Sequence, residues 1–323
     1  MLVKRAVAGL MILAGVLTLG YVGISSYIAE ELVYESPTAI VKTPANLDLR
    51  FANVSFPSRG DQINLKGWLI PGMLPDGRLT VERVIVVVHG TRTNREDPGA
   101  HLLELTAALA RNGFGVLSFD MRGMGESPPA PLSMGTLEQR DVLGAVDFLR
   151  SGRLPFPELG RPRIIGGLGV SMGAASLLMA AAGEPGIQAV VSDSAYAEIV
   201  PILEREIAKR SVAPIGRIPG VLAPSALVMA QLLYGVDFFA ARPVAGVARI
   251  APRPILLIHG TADDYVPITN FRQLNAAATS VPGAHVSTWV VPNARHAQAF
   301  KKTGAEYVTR VVAFFDAAFG AAA

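Results

Sequence analysis

The chain has 323 residues, which suits one large α/β domain or two small ones with a buried core. Half of the residues are apolar and 17% are charged, and the net charge of +3 comes from scattered Lys and Arg residues, so nucleic-acid binding has little support. The absence of cysteine excludes disulfides, thiolate metal sites, cysteine nucleophiles and lipidation of a cysteine, and the five histidines lie too far apart to suggest a metal site.

The N-terminus has a basic pair at positions 4 and 5, followed by an uncharged, mostly apolar run, Ala6–Ala29, that two glutamates end. As a helix, these 24 residues would extend about 36 Å, enough to cross a hydrocarbon core of about 30 Å. We therefore predict an uncleaved membrane anchor over residues 1–30. The alternative is a signal peptide cleaved near Gly23 and Ser25, which would release the protein, although no A-x-A site is present. In both cases the basic pair stays cytoplasmic and the rest of the chain crosses the membrane.

Residues 31–49 lack periodicity and are predicted to be a linker, and a single α/β domain is predicted over residues 50–323. The predicted strands are Arg50–Phe56, Asn64–Ile70, Arg83–His89, Gly115–Phe119, Arg163–Val170, Ile187–Ser192, Pro254–His259 and Val286–Val291, and the predicted helices are His101–Arg111, Thr136–Arg150, Ser171–Ala182, Asn270–Ala278 and Ala297–Phe319. Runs that are apolar at every position belong in a parallel sheet with helices on both faces. The first two strands, joined by a tight turn, are expected to form an antiparallel edge.

A long interval, about Ala195–Ile250, interrupts this alternation. It contains a stretch rich in Pro and Gly, Ala213–Pro224, and an apolar helical run, Ala226–Tyr234. Loops of this length in a compact domain usually have a function, and this one lies between two strands, where an insertion would cover their carboxyl ends. We predict a helical lid. The alternative is a structural excursion with no contact to substrate.

The strongest local motif is Gly169-Val170-Ser171-Met172-Gly173, a G-x-S-x-G between a predicted strand and a predicted helix. A serine at a sharp strand-to-helix turn has a strained backbone, and the flanking glycines allow the strand and the helix to pack closely. The turn also places Ser171 at a helix N-terminus, which favours a developing anion. We therefore predict that Ser171 is a nucleophile.

A serine hydroxyl needs a base to act as a nucleophile, and the base needs a carboxylate to fix its tautomer. Asp263 and Asp264 follow one predicted strand, and His296 follows the last one. The resulting chain order Ser, Asp, His is the order of hydrolases with this strand-to-helix turn. Asp193, after another strand, is an alternative position for the acid.

Three further segments are similar to motifs of the α/β-hydrolase family: Val86–Gly90 (VVVHG), Phe119–Ser127 (FDMRGMGES) and His259–Asp263 (HGTAD). The chain resembles this family from about Leu49 to Phe319, which implies the α/β-hydrolase fold. The last motif favours Asp263 over Asp264 as the acid.

The resemblance implies more about the site. The backbone N–H groups of Thr91 and Met172 would form the oxyanion hole, and His89 and His259 would hydrogen-bond nearby loops. The polar segment after Thr91 contains Arg92 and Arg95. Either arginine could bind an anionic part of a substrate, but a solvated loop is the simpler interpretation.

The hypothesis from the sequence is a membrane-anchored serine hydrolase that cleaves a carboxylic ester, without metal or cofactor, on the extracytoplasmic side. Its expected substrate is a small acyl ester or a lipid-like ester, because the predicted lid and the anchor are apolar. A peptidase or an acyl thioesterase with the same triad is the alternative, since the fold does not determine the substrate. A binding protein without activity on the same fold is a further alternative.

Overall fold

An eight-stranded sheet runs through this computed structural model, which describes residues 1–61, 63–209, 211–212, 216–217 and 220–320. The strands are β1 (Ala52–Pro57), β2 (Asn64–Ile70), β3 (Arg83–Val88), β4 (Gly115–Asp120), β5 (Ile164–Val170), β6 (Val190–Asp193), β7 (Ile255–Gly260) and β8 (Val286–Val291). Their order across the sheet is β1-β2-β4-β3-β5-β6-β7-β8. Strand β2 is antiparallel to β1 and β4, and all other neighbours are parallel. The predicted architecture, including the antiparallel edge, is confirmed.

Helices cover both faces of this sheet. In chain order, the helices of the described residues are α1 (Leu2–Val33), α2 (Leu102–Arg111), α3 (Glu138–Arg150), α4 (Met172–Gly183), α5 (Val200–Lys209), α6 (Leu222–Tyr234), α7 (Thr269–Ala278), α8 (Ala299–Thr303) and α9 (Ala305–Gly320), with 3-10 turns at Pro44–Leu47, Pro157–Leu159, Phe238–Ala240, Pro243–Ala245 and Val247–Ile250. Two short ribbons pair Gly72–Met73 with Leu79–Thr80, and Ser211–Val212 with Gly216–Arg217. The prediction of one continuous helix over Ala297–Phe319 is wrong, because Gly304, with a φ of +51°, separates α8 from α9.

Strand β3 shows why the central strands are apolar throughout. Val84, Val86 and Val88 point into the core on one side of the sheet, and Ile85 and Val87 point into the core on the other. Every position from Val84 to Val88 is buried, because successive side chains of a strand face opposite sides and both sides carry helices.

Helix α1 is a single long helix with two different environments. Residues 3–23 are exposed, and this segment is long and apolar enough to cross a membrane. Ile28, Ala29, Leu32 and Val33 are buried in the same core as one face of the sheet, against α6. The helix therefore extends beyond the apolar run and ends inside the packed domain.

The interval between β6 and β7 contains α5, α6 and three 3-10 turns. Within the Pro- and Gly-rich stretch predicted at Ala213–Pro224, residues 213–215, 218 and 219 lie outside the described residues, as do residues 321–323 at the end of the predicted domain. The apolar helical run predicted at Ala226–Tyr234 is confirmed and begins four residues earlier, at Leu222.

The buried side chain of Arg122 gives the motif Phe119–Ser127, at the end of β4, a structural role. Arg122 is 2% exposed, and its guanidinium donates to Asp141 of α3 at 2.7 Å, to Asp61 of the β1–β2 turn at 2.7 Å and to Ser58 at 2.9 Å. One side chain thus connects the turn after β4, helix α3 and the edge hairpin. Because charges buried at this depth require partners, the three acceptors fix these segments relative to one another.

We expect Arg122→Ala to lower the free energy of unfolding by about 3–5 kcal/mol, because it leaves the carboxylate of Asp141 buried without its cation. The matched control is Arg140→Ala, since Arg140 also contacts Asp61, at 3.4 Å, but its side chain is 48% exposed. That control should lose about 1 kcal/mol or less. Urea unfolding of both variants in detergent micelles measures the difference, and equal losses would contradict the role assigned to Arg122.

Candidate active site

The turn between β5 and α4 places Ser171 at the carboxyl edge of the sheet. Ser171 has a φ of +55° and a ψ of −121°, and α4 begins at the next residue. A Cβ on Gly169 would lie 2.5 Å from the carbonyl oxygen of Gly173, and a Cβ on Gly173 would lie 2.3 Å from that of His89. Only glycines allow β3, β5 and α4 to approach this closely, and their packing holds the strained serine in place.

Ser171, His296 and Asp263 form a chain of hydrogen bonds. The Oγ of Ser171 lies 2.8 Å from Nε2 of His296, and Nδ1 of the same ring lies 2.8 Å from Oδ2 of Asp263. A carboxylate only accepts, so Nδ1 carries the proton and Nε2 of the neutral ring is free to accept one from the serine. This is the arrangement of a nucleophile, a general base and the acid that orients the base.

The carboxylate of Asp263 is buried, with its side chain fully shielded from solvent. Its other oxygen accepts from the N–H of Tyr265 at 3.1 Å and from the N–H of Val266 at 2.7 Å. The ring of Tyr265 also packs beside the ring of His296, with 5.0 Å between their centroids. The loop after β7 therefore holds the acid and supports the imidazole. The neighbouring Asp264 makes no such contact among the described residues.

The two predicted oxyanion donors lie beside Ser171. Met172 is the first residue of α4, so its N–H has no acceptor within the helix. Thr91 follows Gly90 at the end of β3, and a Cβ on Gly90 would lie only 3.4 Å from that of Ser171. In the part of the chain that the structure describes, the Thr91 N–H has no backbone acceptor. Both donors could therefore serve a ligand oxygen on the serine.

A cavity of about 510 Å³ opens above these groups and is lined by Ser171, His296 and residues of the loop after β3. Thr38 and Ala39, from the segment predicted to be a linker, also line it. A smaller cavity of about 230 Å³ shares Thr91, Arg92 and Tyr265 with the first and is lined on its other side by α5. The predicted lid region thus contributes to the adjoining cavity, and none of its described residues lines the cavity at Ser171.

The profile of the alpha/beta hydrolase family matches residues 85–301. The chain belongs to this family. The predicted resemblance to α/β-hydrolases is therefore confirmed.

Among its relatives, the hydrolase is 27% identical over 288 residues to YfhR of Salmonella typhimurium, an uncharacterized protein, with 86% of this chain and 85% of the relative covered. The esterase Pf2001 of Pyrococcus furiosus has a TM-score of 0.67 and 22% identity, over 88% of this chain and 98% of the esterase. An acylaminoacyl peptidase of Pyrococcus horikoshii has a TM-score of 0.58 and 17% identity, over 83% of this chain and 42% of the peptidase. At these identities, the two structures show that the fold is shared.

The other histidines near the site of this hydrolase are buried and hydrogen-bonded. Nε2 of His89 accepts from the N–H of Met121 at 3.0 Å, and Nε2 of His259 lies 2.9 Å from the carbonyl oxygen of Val266. Burial lowers the pKa of both imidazoles, which favours their neutral forms. Both residues contact loops beside the site, as the family resemblance implies.

The two arginines of the loop after β3 have different environments. Arg95 is 3% exposed, pairs with Asp120 and Glu126, and packs on the ring of Trp68 at 4.4 Å. Arg95 therefore attaches the loop after β3 to the end of β4 and to β2 in the interior of the domain, and it does not line the cavity at Ser171. Arg92 has a φ of +59° and a side chain that is 66% exposed, and it lines both cavities.

Glu35 is a residue of the site that the sequence analysis missed. Its carboxylate accepts from Thr91 Oγ1 at 2.8 Å and from the N–H of Arg92 at 2.8 Å. No motif surrounds Glu35, and it lies 56 residues from Thr91 in a segment without periodicity. Only the folded chain brings it to the loop.

Asp193, the alternative acid, lies behind the site. Its carboxylate accepts from the hydroxyl of Tyr307 at 3.0 Å and from Ser194 Oγ at 2.9 Å, while Nδ1 of His296 pairs with Asp263. Burial raises the pKa of Asp193 to about 6.

Asp193 makes the stability of the protein depend on pH. Its pKa in the folded state is above its ordinary value of 3.8, so the folded state binds the proton more tightly. This contribution to stability is therefore present at low pH and is lost as the pH rises through about 6. Relative to Asp193→Asn, the free energy of unfolding of the wild type should fall by about 2–3 kcal/mol between pH 4 and pH 7.5. Urea unfolding at several pH values measures this difference, and a difference that stays constant with pH would contradict the burial of an ionisable carboxyl.

Proposed function

We propose that the protein is a membrane-anchored serine hydrolase that cleaves a carboxylic ester, with Ser171 as the nucleophile, His296 as the general base and Asp263 as the acid that orients it. The observation that supports this proposal best is the pair of 2.8 Å contacts from Ser171 through His296 to Asp263, at the floor of a cavity. A reactive serine needs this arrangement, whereas a binding site does not.

The proposed reaction has two steps. His296 takes the proton of Ser171 as Oγ attacks the carbonyl carbon, and the oxyanion accepts from the N–H groups of Thr91 and Met172. The imidazolium, stabilised by Asp263, then gives the proton to the departing alcohol, which leaves an acyl-enzyme. A water molecule attacks the acyl carbon with His296 again as base, and the carboxylic acid leaves as Ser171 recovers its proton.

The proposal of a membrane anchor, with the catalytic domain on the extracytoplasmic side, has its own support. The exposed segment of α1, residues 3–23, matches a membrane span in length and composition, and the basic pair precedes it. Ser25 and the residues after it pack on α6, which supports a segment that stays attached to the domain. Release by a signal peptidase is the alternative.

Ser171→Ala should abolish ester hydrolysis and labelling by a fluorophosphonate, because it removes the nucleophile; triad members contribute about 10⁴-fold or more to turnover. The matched control is Ser176→Ala on the same helix, since the buried Ser176 hydroxyl donates, among the described residues, only to the carbonyl of Met172. It should retain wild-type activity. The measurement is the hydrolysis of p-nitrophenyl esters of increasing acyl length by the full chain in detergent micelles.

Full activity of Ser171→Ala would contradict the proposed nucleophile. If the wild type is labelled at Ser171 but cleaves only thioesters or peptide anilides, the ester assignment is wrong and the triad is kept. A wild type that is neither labelled nor active on any of these substrates would favour a binding protein.

A further inference from the structure

Helix α6 lies parallel to the second half of α1. The hydroxyl of Tyr21 donates to the carbonyl of Val221 at 3.3 Å, and the hydroxyls of Ser25 and Ser225 lie 2.7 Å apart. Further along, the rings of Tyr34 and Tyr234 meet edge to face at 5.5 Å between centroids. These pairs follow the same order along both helices, so each level of α6 is matched to a level of α1.

This match sets the depth of α6 if α1 crosses a bilayer. A hydrocarbon core takes about 20 helical residues, so its outer boundary meets the 24-residue apolar run between about Ser25 and Ala29. Tyr21 and Tyr27 are 40% and 50% exposed near this boundary, where tyrosine is enriched in membrane proteins. The first two turns of α6 then lie at the same depth as the end of the span.

The side of α6 that faces away from the domain is apolar apart from the exposed Gln231. Val221, Val228, Leu232 and Leu233 are 68%, 45%, 71% and 52% exposed. In water, such a group of apolar side chains is unfavourable, whereas a lipid surface would bury it. Its continuity with the exposed span of α1 indicates lipid as the partner.

We propose that the outward side of α6, formed by Val221, Val228, Leu232 and Leu233, inserts into the outer boundary of the bilayer that holds α1. The catalytic domain then rests on the membrane. Helix α1 ends at Val33, about 6 Å beyond the level of Ala29, and Glu35 already contacts the site loop. The site would therefore take esters whose acyl chains are held at the lipid surface, an assignment of substrate that rests on the proposed function.

Tryptophan reporters test this insertion without depending on activity. The tryptophan fluorescence of Val228→Trp is measured in the full chain reconstituted into phosphatidylcholine vesicles. It should be several-fold weaker when the acyl chains are brominated close to the headgroups than when they carry no bromine. Val16→Trp, in the middle of the exposed span, should be quenched by acyl chains brominated near their ends, and Met73→Trp, 43% exposed on the short ribbon at Gly72–Met73, should be quenched by neither lipid. The wild type supplies the background of Trp68 and Trp289.

Quenching of Val16→Trp without quenching of Val228→Trp would overturn the proposed contact and keep the anchor. If neither is quenched, the anchor itself is wrong. An activity assay adds the link to substrate: Val228→Glu should raise the KM for a long-chain ester dissolved in the vesicles by about fivefold or more, and leave turnover of a short, soluble ester unchanged. Equal effects on both esters would overturn the assignment of lipid-held esters as substrates.

A second, independent observation concerns Glu35. Its side chain is 9% exposed, and its two oxygens accept from the hydroxyl of Thr91 and from the N–H of Arg92. The Arg92 guanidinium lies 3.3 Å away and compensates the charge. Because Arg92 has a positive φ, the peptide between the two residues is held in an unusual orientation by this carboxylate.

We infer that Glu35 is a positioning residue for the oxyanion hole. It holds the loop so that the N–H of Thr91 points at the oxygen developing on the substrate of Ser171. The inference rests on the proposed function. It also ties the segment that leaves α1 to the chemistry of the site, although Glu35 itself touches no reacting atom.

Glu35→Ala should lower kcat by about 10–100-fold and change KM by less than about twofold, because a displaced donor affects the transition state more than the bound ester. Glu35→Gln keeps one acceptor and should recover part of kcat. Glu158→Ala, which removes an exposed acid paired with Arg50, is the matched control and should retain full kcat.

Equal kcat for Glu35→Ala and the wild type would overturn the inference. So would a loss in Glu35→Ala that accompanies a lower Tm and is not recovered by Glu35→Gln, because that pattern indicates a purely structural role. A wild type without turnover contradicts the proposed function instead.

Discussion

The close approach of β3, β5 and α4 is the constraint on which the rest of the site depends. A non-glycine residue with a φ of +55° is unfavourable, so Ser171 keeps this backbone only because the elements around it leave no alternative. Gly169 and Gly173 make that packing possible, since a side chain on either would overlap the backbone. The same contact brings Gly90 and Thr91 beside Ser171, so one packing arrangement sets both the serine and its nearest N–H groups.

The side chains of Asp263 and His259 are buried at this edge of the sheet, and their burial explains why the loops around them have one defined conformation. Asp263 accepts from two backbone N–H groups and from His296, and His259 contacts the carbonyl of Val266 in the same loop. A buried polar group without a partner is costly, so each of these hydrogen bonds restricts its loop to one conformation. The site is therefore organised before any substrate binds, which is what electrostatic stabilisation of a transition state requires.

The N-terminal segment is part of the same structure and not a flexible tether. The end of α1 packs on α6, Glu35 contacts the loop after β3, and Thr38 and Ala39 line the cavity at Ser171. A helix that enters the core in this way fixes the orientation of the domain relative to the helix axis. In the proposed membrane-anchored enzyme, that orientation decides which substrates reach the cavity.

The sequence by itself determined the sheet, its antiparallel edge, and the segments that carry Ser171, Asp263 and His296, because apolar periodicity and turn motifs depend on residues close together in the chain. It did not reveal the break at Gly304, which a single glycine in a helical pattern does not require. Only the tertiary structure decided that Glu35 meets the site loop and that the end of the apolar N-terminal run packs on α6. A segment that faces lipid and a segment that packs in a core are built from the same apolar residues, so composition does not distinguish them. A contact between segments that are distant in the chain leaves no local sequence pattern. Both are therefore settled by how the folded chain brings its segments together.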